Sequence, residues 1–267
     1  MFLTKKGFWK AVIVALCYCA LGCFCFLLAI LLNALNADAK GLLVLGIVCC
    51  ALSPLLFFWG RYAEGKGKLI NTGNKLIRQE FRPAEFIKQY KDLLNSSDLV
   101  VKKPSVEILE LVAVAYHCLD DRENCLATVD EMVSIASEKQ RALTKLIKIS
   151  YLYSYGMTEE AEQLYSEIRK LKLNAICTLV ADNILKGDRA KAMGDYKTVE
   201  AHCLKKLEQT FPKLDDLGKL ILHFELGEVY EKMQDREKAI LNYKYCADLG
   251  GETAIKTNAV SALQRLQ

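Results

Sequence analysis

The sequence predicts an all-α protein in two parts: a transmembrane helical hairpin at the N-terminus, then an α-solenoid of helix-turn-helix repeats. Three observations predict it. Two long apolar runs near the N-terminus contain no charged residue. From residue 66 onward, apolar and polar residues are mixed with a helical period and few strand signals. Within that region, the second-helix positions equivalent to Ala239, namely Leu126, Ala161 and Val199, recur at intervals of 35, 38 and 40 residues.

The apolar runs cover 11–32 and 41–59, 22 and 19 residues, and raise the mean hydropathy of the chain to +0.12. At 1.5 Å rise per residue, about 20 residues cross a hydrocarbon core of about 30 Å, so each run is long enough for one crossing. The segment "NALNADAK" (33–40) makes a short external loop between them. Phe8 and Trp9 at one end, and Trp59 and Tyr62 at the other, suit the interfacial aromatic belt. A cleaved signal has a shorter apolar region, of about 7–15 residues. A lipoprotein modified at Cys23 would turn polar, whereas "FCFLLAILL" stays apolar. The stretch "LCYCALGCFC" (16–25) sets Cys17, Cys19, Cys23 and Cys25 at about 0°, 200°, 240° and 80° around a helix. Such thiols cannot converge on a tetrahedral metal, and they read as small apolar residues.

Charge gives the orientation. Lys5, Lys6 and Lys10 lie in the N-terminal segment 1–10, and Arg61, Lys66, Lys68, Lys75, Arg78 and Arg82 in the basic juxtamembrane segment and first helix, 60–82. Lys and Arg favour the cytoplasmic side. The expectation is an integral membrane protein with two spans and both termini cytoplasmic, as in a bacterial inner membrane. Its juxtamembrane cations would touch anionic lipid at about 1 kcal/mol each. Neither run contains Asp, Glu, Lys, Arg or His, which argues for anchoring and against ion transport. Residues 83–267 carry 26 basic against 29 acidic side chains, which argues against nucleic acid as a partner.

Self-similarity defines the second part. In "HFELGEVYEKMQDREKAILNYKYCADLGG" (223–251), Leu226-Gly227 is followed by Tyr230, then Ala239, then Tyr243. This pattern resembles the tetratricopeptide repeat, in which small residues allow two helices to approach and aromatic ones fill the gaps between helices. His223 and Gly251 stand near positions where the family pattern has Trp and Pro. Looser copies lie upstream. Residues 183–212 contain Gly187, Ala190, Gly194 in the turn and Pro212; 146–168 contain Gly156 in the turn, then Ala161 and Tyr165. Residues 109–132 have Ala115, with Leu126 at the position of Ala239; Val199 fills that position in 183–212. Residues 69–97 form a further pair with Gly73, Pro83, Phe86 and Tyr90, 98–105 a connection, and 253–267 a capping helix. The repeat-like region is thus 83–267, preceded by the juxtamembrane helix. A plain antiparallel helical array without true repeats has the same fold class.

No catalytic constellation is visible. His117, His202 and His223 are scattered, Cys118, Cys125, Cys177, Cys203 and Cys246 form no Cys-x2-Cys pair, and "GKGKL" (65–69) lacks phosphate-loop spacing. No metal or cofactor is expected. The resemblance implies a concave groove for a protein or peptide partner, formed by the first helix of each repeat. By register the groove positions are Leu146, Ser150 and Tyr153; Ile184, Asp188 and Lys191; Phe224, Glu228 and Glu231. Leu111, Ala115 and Glu225 stand where the carboxylate-gripping subclass of the family has Lys, Asn and Arg. The expected function is a membrane-anchored, non-catalytic adaptor or scaffold. The alternative is an accessory or assembly subunit whose hairpin makes the essential contacts in a membrane complex.

Overall fold

The computed structural model describes residues 67–96, 99–102, 104–210 and 213–266, together with 2–4 and scattered positions between 12 and 48. The chain divides into two compact units, Met1–Leu69 with Lys91–Pro104, and Ile70–Tyr90 with Ser105–Gln267. Apart from one pair of short strands, the described residues in regular structure are helical.

In the first unit, β1 (Phe2–Thr4) pairs antiparallel with β2 (Leu99–Lys102), with an irregularity between Leu3 and Thr4. This corrects the expectation of a plain N-terminal segment and a plain connection at 98–105. Val100 and Val101 have β-branched side chains, but a pairing between segments so far apart leaves no local signature. Described positions between 12 and 48 are helical, and Cys17, Cys23 and Cys25 are free thiols. The expected spans 11–32 and 41–59, the loop 33–40 and residues 60–66 fall largely outside the described residues. Among the described residues no helix is long and apolar enough to cross a membrane. That finding overturns the placement as a two-span integral membrane protein with cytoplasmic termini.

The second unit contains five consecutive helix pairs and a terminal helix. The first pair is the helical stretch from residue 67 through a π-helical segment, Asn74–Gln79, followed by α1 (Pro83–Asn95), whose last residues belong to the first unit. Then come α2 (Val106–Cys118) with α3 (Arg122–Ile135), and α4 (Glu138–Ser154) with α5 (Thr158–Ile168). The fourth pair joins α6 (Ala175–Ile184), a π-helical segment Leu185–Arg189 and a last turn Ala190–Ala192 to α7 (Tyr196–Glu208). The fifth is α8 (Asp216–Lys232) with α9 (Arg236–Leu249), and α10 (Ala254–Leu266) packs on α9.

One turn geometry recurs in every pair. Phe81, Asp120, Gly156, Gly194 and Gln234 all have positive φ, from 52° to 76°. From the second pair on, the next residue donates its N–H to a carbonyl five residues back: Asp121 to Tyr116, Met157 to Leu152, Asp195 to Ala190, Asp235 to Tyr230, at 2.8–2.9 Å. This is the Schellman closure, which satisfies carbonyls left over at a helix C-terminus. Asp121, Asp195 and Asp235 then cap the following helix, each accepting an N–H three residues on at 3.2 Å. Met157 closes one helix in the same way but supplies no side-chain cap.

Five residues after each positive-φ residue stands a side chain with 0% exposure: Phe86, Cys125, Ala161, Val199 and Ala239. The residue equivalent to Ala239 in the second pair is therefore Cys125, and the expected Leu126 is only partly buried. Four residues further on come Tyr90, Val129, Tyr165, Cys203 and Tyr243, all buried. Close approach is greatest in the fifth pair, where a Cβ built on Gly227 would lie 2.7 Å from the Tyr243 ring.

The ends of the array meet. Arg78 Nη1 lies 2.6 Å from Asp215 Oδ2 at the start of α8, and the Glu252 N–H donates to the Phe81 carbonyl at 2.9 Å. A Cβ on Gly251 would lie 2.5 Å from Phe81 Cβ, at a φ of +55° that also favours glycine. The first pair thus packs on the last.

Candidate functional site: the inner channel

The first helices of the second to fifth pairs place side chains around a channel of about 340 Å³, with α7 contributing His202 and Lys206. Repeat register relates the positions on the first helices, some of which reach the channel. Ten, six and three residues before each positive-φ turn stand Glu110, Val114 and His117 on α2, and Leu146, Ser150 and Tyr153 on α4. The same positions give Ile184, Asp188 and Lys191 in the fourth pair, and Phe224, Glu228 and Glu231 on α8. Sequence reasoning found the last three sets and missed the first, which the register of Asp120 supplies.

These positions do not all serve the same purpose. Ser150, Asp188 and Ile184 line the channel together with Glu110, Val114, His117, Tyr151 and Glu225. Leu146 is fully buried and Ile184 nearly so, in a cluster with Ile149, Leu152, Ala161 and Tyr165, because they stand where α4 and α6 pack on each other. As groove residues Leu146 and Tyr153 are corrected to core: Tyr153 is 5% exposed and donates its hydroxyl to Glu162 at 2.7 Å. Arg189 holds the same Glu162 carboxylate at 2.5 Å, tying the fourth pair to α5. Phe224 meets the Tyr243 ring edge-on at 5.7 Å, and Glu231 accepts the Tyr243 hydroxyl at 2.8 Å and pairs with Arg265. Leu111 and Ala115 are buried. The packing residues Gly187, Gly227, Tyr230, Ala239 and Tyr243 are all buried, while Gly156 and Gly194 occupy the turns.

Polar contacts join successive helices across this face. Ser150 donates to Asp188 at 2.6 Å, and Lys191 donates to Glu228 at 2.5 Å. His117 Nδ1 meets the Tyr155 hydroxyl at 3.0 Å and packs edge-on against Tyr151 and Tyr155. Cys203 Sγ lies 3.5 Å from Glu225 Oε2, within sulfur hydrogen-bond range.

The electrostatics follow from sheltering several acids together. Burial first, and the Glu225 charge second, push the Asp188 carboxyl up to about 7. Burial also raises Glu225 and Glu110. Burial works against the Lys191 ammonium, but Glu228 and Glu225 override it and its pKa rises. Burial lowers both His117 and His202, the latter to about 4 with help from Lys206. Burial keeps the Cys203 and Cys118 thiols protonated, Cys118 up to about 12. The channel therefore offers hydrogen-bond donors and acceptors among sheltered acids, and burial keeps its Cys118 thiol protonated. Among the described residues no group of three or more His, Cys, Asp or Glu could hold a metal ion.

The chain matches no family model, no curated protein and no solved structure.

Proposed function

We propose that this chain is a non-catalytic adaptor of tetratricopeptide-like construction, which binds a segment of another protein through the inner face of its helix pairs. One observation carries the reading. A single repeat position, six residues before each turn, delivers Val114, Ser150 and Asp188 from three successive first helices to the same channel, and α8 adds Glu225. Arrays of stacked helix pairs use such faces for recognition, because each pair adds one set of side chains to a continuous surface. The burial of Leu226, Gly227, Tyr230, Ala239 and Tyr243 supports the family likeness.

The test is site-specific photo-crosslinking in the full chain. A photoreactive residue replacing Ser154, which lines the channel and is exposed, should capture a discrete protein partner. The same residue replacing Lys139, exposed near the start of α4, should not. Filling the channel with Val114→Trp should abolish the capture. Equal capture from both positions, or capture that survives Val114→Trp, refutes inner-face binding.

A further inference from the structure

The fourth helix pair differs from the others. In the second, third and fifth pairs the two helices pack along their length; in the fourth, only the π-helical segment and the turn Ala190–Ala192 pack closely on α7. A π-turn inserts one residue into the helix and redirects it, and such bulges concentrate at functional sites. Here Gly187 sits in the bulge against His202, and a Cβ at that position would lie 3.5 Å from the imidazole. Ahead of the bulge, α6 diverges from α7 and opens a cleft of about 540 Å³.

The cleft has an apolar floor and a basic rim. Leu179 and Ala201 line it, and Leu179 is 62% exposed; Ile176, one turn earlier on α6, is 64% exposed. Lys186, Lys205 and Lys206 line it as well, against a single carboxylate, Asp182. Asp182 is already paired with Lys186 at 2.9 Å, and among the described residues Lys205 and Lys206 have no ion-pair partner. Burial keeps His202 uncharged at neutral pH, so it serves as a wall. The local charge contrasts with its surroundings. Residues 169–213 carry ten Lys and Arg against five Asp and Glu, whereas 83–267 as a whole is net acidic.

We propose that the cleft between α6 and α7 docks an acidic amphipathic helix of a partner protein. The lining runs from Thr198 on α7 to Gln209 at its C-cap, about 16 Å, which matches three turns of a docked helix. Apolar side chains at i, i+4 and i+7 of that helix cover Leu179, Ala201 and Ile176, and its acidic flank faces Lys205 and Lys206. Charge complementarity selects this occupant over a basic helix. Among the described residues that line it, the apolar floor has no stacking aromatic beyond the His202 ring, which favours this occupant over single-stranded nucleic acid, a ligand that stacks on aromatic platforms. The cleft shares Asn183, His202 and Lys206 with the inner channel, whereas Leu179, Ala201 and Lys205 line the cleft alone, so substitutions there distinguish this site from the inner-face reading.

The experiment is fluorescence anisotropy on the full chain with three labelled probes. They are a 14-residue helical peptide with Leu at i, i+4 and i+7 and Glu on both flanks, the same peptide with Lys replacing Glu, and a 15-nucleotide oligouridine. The acidic peptide should bind, at least ten-fold more tightly than the basic one, and more weakly as salt rises. Lys205→Glu and Leu179→Glu, both at exposed positions that spare the core, should each weaken it at least ten-fold. Val114→Trp in the channel should leave it unchanged. Absence of acidic-peptide binding, equal binding of the basic peptide, tighter binding of oligouridine, or indifference to both cleft substitutions overturns the proposal.

Discussion

Asp188→Asn should stabilise the protein, and by an amount that grows with pH. Below about pH 3.8 the Asp188 carboxyl holds its proton in both the folded and the unfolded chain, and the group contributes no pH dependence. Between 3.8 and about 7 the unfolded chain has released the proton while the folded protein retains it. Folding then becomes less favourable by about 1.4 kcal/mol per pH unit, because the unfolded state binds fewer protons. Above about 7 the penalty is constant. The full interval sets an upper bound of roughly 4 kcal/mol. Residual solvent access to the partly buried side chain reduces it to about 1–3 kcal/mol. Asparagine keeps the acceptor for Ser150 and removes the charge beside Glu225. Urea unfolding followed by circular dichroism at pH 4.5 and pH 8 measures the effect. The variant and parent should agree within about 1 kcal/mol at pH 4.5, and the variant should be more stable by about 1–3 kcal/mol at pH 8. A difference that does not change with pH, or a variant less stable at pH 8, refutes the account of a sheltered acid cluster.

Three further outcomes test the packing. Gln234→Gly should raise stability by about 1 kcal/mol, since Gln234 holds a left-handed φ of 62° that glycine adopts freely, whereas Gly156→Ala should lower it by about as much, with open space around the site but a φ of +74°; thermal unfolding of the two variants should move in opposite directions. Gly227→Ala should destabilise by roughly 1–2 kcal/mol, because a methyl group 2.7 Å from the Tyr243 ring outweighs the gain in helix propensity; Tyr243→Leu in the same background should recover part of the loss. Arg78→Met should change stability by under about 1 kcal/mol, since the Arg78–Asp215 pair is a third exposed and Arg78 Nε is buried without a hydrogen bond. Asp215→Ala should cost about 1 kcal/mol more, because Asp215 also caps α8 through the Gly218 N–H.

The helix pairs were legible because turns punctuate them. Gly156 and Gly194 mark two turns directly, and the pairs at 69–97, 109–132, 146–168, 183–212 and 223–251 lie where the structure has helix-turn-helix units. In the second pair residue type points one position too far, since Cys125 and Leu126 are neighbours and leucine is the more obvious core residue. The aspartates Asp121, Asp195 and Asp235, each directly after a positive-φ residue, hold the register that corrects it. Groove positions were legible by spacing alone, yet spacing does not separate a residue facing the channel, such as Ser150, from one facing the next helix, such as Leu146. That distinction depends on how far each pair rotates on its neighbour. Neither π-helical segment has a local sequence signature beyond Gly187, and the pairing of Phe2–Thr4 with Leu99–Lys102 depends on residues too distant for any local pattern. The apolar runs were read by length, a criterion that no helix among the described residues satisfies.

The contact between Phe81 and Glu252 changes what kind of folding unit this array can be. A linear stack of repeats frays from either terminus, since each repeat touches only its neighbours, and its stability is close to a sum over nearest-neighbour interfaces. Here residues on the order of 170 apart in sequence are bonded, and closing a loop of that length opposes folding by about 4–5 kcal/mol before the contact forms. The native state recovers this through the seam where the first pair meets the last, so neither end is a weak terminus. The second unit should unfold in one cooperative step and refold more slowly than an open array of similar helices, its rate set by non-local closure.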